Sequence, residues 1–137
     1  MPHHLHTRTP LLFGLIVIAI GIFFGEYFGL YDHIPHFDKI LHLTGGIIAG
    51  WLAFAFLHDD IRKAPRSRQA LIVVGMACLI GVLWEFAEYA GNFTRHTYPL
   101  LYHYFHGGNL ADTLGDLVAD ISGATLFAFW ALYRDRT

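Results

Sequence analysis

The chain has 137 residues, 55% of them hydrophobic and 15% charged, with a formal net charge of −2. A positive mean hydropathy and apolar runs too long for soluble core helices exclude a soluble globular domain and point to an all-α integral membrane protein. There is no basic patch or stacking array for nucleic acid, and Cys78, alone in an apolar run, excludes an internal disulfide and reads as a packing residue.

The opening "MPHHLHTRTP" is polar and proline-bounded. Its histidines can hold metal, but an unstructured tail is the preferred reading. Four segments follow with the ~20 residues needed to cross ~30 Å of hydrocarbon. They cover about 11–30, 38–57, 70–89 and 111–133, a four-transmembrane-helix bundle in one domain over 1–137. The first exceeds a signal-peptide core in length and reads as a retained helix. "HDDIRKAPRSRQ" makes a charged turn between the second and third. "GNFTRHTYPLLYHYFHGGN", between the third and fourth, suits an interfacial loop, and its histidines read as loop residues rather than ligands.

Both termini and the 58–69 turn share one side of a four-span protein. That side carries seven of the nine cations: Arg8, Arg62, Lys63, Arg66, Arg68, Arg134 and Arg136. The positive-inside rule makes it cytoplasmic.

The acids cluster at the opposite face. Glu26 closes the first helix, Asp38 with Lys39 and His42 opens the second, Glu85 and Glu88 close the third, and Asp112, Asp116 and Asp120 open the fourth. Asp116 and Asp120 lie ~6 and ~12 Å beyond Asp112 along a helix, the latter near mid-bilayer. An aspartate there costs roughly 2.5–3.5 kcal/mol on insertion scales, so such residues face the bundle interior or a wet cavity. Their spacing puts all three on one stripe. Ala111, Gly115, Ala119 and Gly123 form a neighbouring stripe of small residues, and Gly21, Gly25 and Gly29 form another on the first helix. These stripes predict that the first and fourth helices pack together, with the acids turned toward the second and third.

The ordered set "DKILH", "EFAE" and "DTLGDLVADISGA" resembles the VanZ-like membrane proteins and, more closely, the YjdF-type family of uncharacterised bacterial inner-membrane proteins, over residues 31–126. Asp38, Lys39 and His42 match that pattern on the second helix, and Glu85 and Glu88 match it on the third. Asp120 stands where the pattern commonly has asparagine. The resemblance implies a multi-pass protein of the bacterial cytoplasmic membrane, associated with the envelope, and supplies no reaction.

Seven carboxylates cannot all stay ionised in a low-dielectric pocket; they must be protonated, paired or metal-bound. His42, Glu85, Asp116 and Asp120 are the deepest and form the candidate metal set, with Asp38, Glu88 and Asp112 secondary; Glu85, Asp116 and Asp120 are the candidate catalytic residues. The oxygen excess favours Mg or Mn over Zn or Fe. Such an ion would bind a lipid or lipid-linked phosphate, or activate water for attack on a phosphoester.

Each residue also has a structural reading. Asp112 and Asp38 suit helix starts, with Asn109 capping the fourth helix. Glu26 and Glu88 suit a solvated interface, and Lys39 suits snorkelling. No P-loop, GxSxG, HExxH or paired CxxC is present. Three functions stay open: a metal-dependent membrane hydrolase or transferase, a non-enzymatic binder or assembly factor for envelope lipids, and a proton or ion pathway.

Overall fold

The computed structural model describes residues 4–99, 102 and 107–134. His3, His103, His106 and residues 135–137, Arg136 among them, lie outside the described residues. Helix α1 (His4–Ile20) continues as wider, π-helical turns through Gly21–Tyr27, and a short α2 (Leu30–His33) follows. Among the described residues three long helices follow: α3 (Phe37–Ile61), α4 (Arg66–Asn92) and α5 (Leu110–Arg134). Four of these stretches, beginning with Thr7–Tyr27, are long and apolar enough to cross a membrane.

The ends follow local chemistry. The first span stops short of the expected residue 30 because Gly29 turns into the left-handed region at φ 67°, where glycine carries no penalty. Pro65 precedes α4, its carbonyl accepting from the Arg68 and Gln69 amides. Asn109 caps α5 as expected: its Oδ1 accepts from the amides of Ala111 at 2.9 Å and Asp112 at 3.2 Å. Asp38 does not cap α3, whose preceding residue His36 sits at φ 60° without a side-chain cap.

The expected pairing of the first and fourth helices is not what forms. Among the described residues α5 packs on α3 and α4, while α1 leans on α3 alone. The glycines explain the difference. A Cβ on Gly123 would overlap the Leu43 carbonyl, and one on Gly46 would overlap the Asp120 carbonyl, so α3 and α5 approach backbone to backbone. On the first span, a Cβ at Gly25 would run into the Tyr31 ring. That stripe therefore seats a side chain from α2 rather than a helix.

The half of the bundle near the 58–69 turn is filled by Ala53, Ile61, Val73, Phe127 and Ala128, with Trp51, Phe54 and Ile72 against them. Large apolar side chains such as Leu71, Leu126 and Phe129 face outward, as a lipid-embedded surface requires. The other half holds the acids.

Candidate functional site

Asp116 and Asp120 lie a helical turn apart on the face of α5 that meets α3, and the close backbone approach leaves them 2% and 6% exposed. His42 on α3 is 8% exposed and Glu85 on α4 is 6% exposed. All four residues placed deepest from the sequence thus share one buried locus between three helices. Asp38, Glu88 and Asp112 ring it at intermediate burial.

Lys39 is the hub of one side. Its Nζ donates to Asp112 Oδ1 and Asp116 Oδ1, each at 2.6 Å, and to Asp38 Oδ2 at 3.2 Å. This overturns the snorkelling reading: the ammonium turns inward and ties α3 to α5. Gly115 makes this reach feasible, since a Cβ there would stand 3.1 Å from Lys39 Cε. Asp112 is accordingly more than a helix-start residue.

His42 is the hub of the other side. Its Nδ1 is 3.4 Å from Asp120 Oδ2, and its Nε2 lies 3.8 Å from Asp38 Oδ1, 3.8 Å from Asp116 Oδ1 and 3.9 Å from Glu85 Oε1. Gly81 on α4 opens the space that the Asp120 carboxylate occupies. Trp84 Nε1 donates to Glu88 Oε1 at 2.7 Å, so Glu88 is held in the site rather than solvated. One buried acceptor stays unmatched: Glu85 Oε1 has no hydrogen-bond partner among the described residues.

The charges do not balance. Six carboxylates, Asp38, Glu85, Glu88, Asp112, Asp116 and Asp120, stand around Lys39 and His42. Even a protonated His42 leaves four formal negative charges, which burial penalises unless protons or a cation answer them. Two sets offer ligand atoms within 4.8 Å of one another: Asp38, His42 and Asp116, and His42, Glu85 and Glu88. His42 belongs to both.

A cavity of about 420 Å³ runs from this cluster along α1, between it and α4, with α3 as its floor. Glu26, Tyr31, Asp38 and Glu88 line its polar end, with His42 and Asp120 further in. Tyr31 was not foreseen from the sequence; the glycine stripe opposite it was the available signal. Burial and the carboxylates of Asp38 and Glu26 push its phenol well above the usual tyrosine range, so it stands as a neutral hydroxyl. His33, His36 and His96 are exposed and away from the cluster. Arg95 lies over the Tyr102 ring, 5.7 Å from its centroid.

A Thermotoga maritima protein described only as uncharacterized is 29% identical to this chain over 133 residues, covering 95% of it. The chain spans 64% of that relative's length. No solved structure matches it. With four apolar spans and a model match over residues 3–137, the chain belongs to the predicted membrane protein family DUF2238.

Proposed function

We propose that this multi-pass protein binds a divalent cation at the His42 cluster and presents it to the phosphate of an envelope lipid or lipid-linked substrate. The observation that carries the reading is Glu85 Oε1, a buried acceptor with no hydrogen-bond partner among the described residues, 3.9 Å from His42 Nε2 in a cluster with excess negative charge. His42, Glu85, Asp116 and Asp120 would hold the ion, with Asp38, Glu88 and Asp112 around them. An oxygen-rich set with one imidazole favours Mg or Mn. Bound there, the ion would supply Lewis-acid charge and lower the pKa of a water. Glu85, Asp116 and Asp120 are the candidate groups that would take a proton from such a water. Lys39 fixes Asp112 and Asp116, which keeps their unengaged oxygens oriented.

Metal analysis tests this on protein purified without chelator or affinity-resin metal, with residues 1–6 removed. About one or two equivalents are expected, lost in Glu85→Gln and Asp120→Asn variants that still fold. A metal-free wild type that also fails to bind Mg or Mn on titration overturns the reading.

The cavity supports a second reading, a non-enzymatic lipid binder or assembly factor, which the same resemblance to YjdF-type and VanZ-like proteins accommodates. A proton path has less support, because apolar side chains fill the half of the bundle beyond Asp120. The cation count supports an orientation with the termini in the bacterial cytoplasm and the cluster in the outer leaflet. Cysteines at Ser67 and Thr94, in a Cys78→Ser background, should label from outside only at Thr94; outside labelling at Ser67 reverses the orientation.

A further inference from the structure

The cavity beside α1 has the shape of an amphiphile. On α1 it is lined from Pro10 to Glu26, roughly 24 Å along a helix at 1.5 Å per residue. Most of that length is apolar, with Ile18, Ile22, Ile48 and Leu52 among its walls; Glu26, Asp38 and Glu88 lie at one end, and Asp120 stands further in beside Gly45 and Gly81. Small residues make the room: Gly14, Gly45, Ala49, Ala77 and Gly81 stand where larger side chains would close it. A Cβ at Gly45 would meet nothing nearer than Asp120 Oδ1 at 4.0 Å. An apolar space of this size forfeits dispersion contacts unless a chain fills it, and among the described residues α1 reaches α3 without reaching α4 to close it.

The polar end selects the head group. Glu26, Asp38 and Glu88 bring carboxylates to it, and Trp84 and Tyr31 bring aromatic rings. The surrounding cluster carries excess negative charge, and a bound dication would reduce that excess without cancelling it. Where no dication faces the lipid, a head group with only negative charge would be repelled, whereas an ammonium finds acceptors and ring faces. Lys39 already displays the arrangement in the adjoining half of the cluster, one ammonium donating to three carboxylates at 2.6, 2.6 and 3.2 Å. A primary ammonium has the same three donors; a quaternary one has none.

We propose that this groove seats a membrane lipid with a primary-ammonium head group, its chain along Ile18, Ile48 and Leu52 and its ammonium at the end formed by Asp38 and Glu88. The seat does not depend on a metal in the cluster. Its occupant is a lipid rather than a second copy of the chain, because a helix would cover the apolar length without answering the charged end.

The test is photocrosslinking with phosphatidylethanolamine carrying a diazirine in its chain, on the full protein in nanodiscs, both untreated and after chelation. Labelling of Ile18, Ile48 and Leu52 should saturate and survive chelation. Unlabelled phosphatidylethanolamine should compete at least ~10-fold better than phosphatidylcholine or phosphatidylglycerol, the factor that one charge-assisted hydrogen bond supplies. Gly45→Phe should abolish groove labelling while Leu126 and Phe129, on the outer face of α5, label as before. Ile48→Trp serves the same purpose without adding a Cβ to a glycine. Unsaturable labelling, equal competition by all three lipids, groove labelling unchanged in both folded variants, or crosslinks joining two protein copies would each overturn the proposal. Metal content, measured separately, leaves this result readable whether or not the cation site stands.

Discussion

The two sides of α3 use glycine for opposite ends. Toward α5, Gly46 and Gly123 remove side chains so that two backbones meet, and the contact buries Asp116 and Asp120. Toward α1, Gly14 and Gly45 remove side chains and space is left, while Gly21 and Gly25 take the Tyr31 ring. The same residue type thus makes a seam on one side and a groove on the other. What separates them is the partner: α5 brings carboxylates that Lys39 and His42 can hold, whereas α1 brings an apolar face with no matching charge below Glu26.

The seam should break hardest at its charges. Lys39→Met leaves buried Asp116 and partly exposed Asp112 without their shared ammonium; losing one partner of a fully buried pair costs about 3–5 kcal/mol, and the partial exposure of Lys39 and Asp112 sets the loss below that. Thermal unfolding in detergent should fall steeply, and adding Asp116→Asn should recover part of the loss. Independent effects that simply add would mean the pair is not coupled.

Gly123→Leu should come next. Overpacking costs about 1–3 kcal/mol or more, and here the obstacle is the Leu43 carbonyl rather than a flexible side chain. Its folded, monodisperse yield should drop well below that of Gly14→Ala, whose Cβ would meet only Ile48 Cγ2 at 3.7 Å. Equal yields would erase the distinction between seam and groove.

Gly25→Ala should have a smaller effect, about 1 kcal/mol, because the Tyr31 ring can swing away from the new methyl. Tyrosine fluorescence or a Tyr31→Phe comparison would report that displacement. Phe129→Leu, on the lipid-facing side of α5, should stay within about 0.5 kcal/mol of wild type, and a larger loss would place a protein surface there.

Much of this was legible in the residues. Hydropathy gave four spans, and the four-residue spacing of Asp112, Asp116 and Asp120 put them on one stripe with His42 and Glu85 at matching depth. The pairing of helices was not legible, because a small-residue stripe says that something comes close and not what. Gly115 and Gly123 fit an α1 contact as well as an α3 contact until three dimensions decide. Lys39 was misread for a related reason. A lysine at a helix start ordinarily reaches for water, and only Gly115 across the seam lets its chain turn inward. The π-helical turns at Gly21–Tyr27 carry no periodic signature distinct from a regular apolar helix, so they could not be anticipated, and the glycine stripe marked a close approach without naming Tyr31 as what fills it.

The reach of Lys39 across to α5 also bears on biogenesis. The last span is the least apolar of the four and carries three aspartates that a bare bilayer would reject. By the time it is synthesised, α3 and α4 have preceded it along the chain. The ammonium of Lys39 and the imidazole of His42 are then present to receive those acids, so the N-terminal part of the chain acts as an intramolecular template for insertion of the last span.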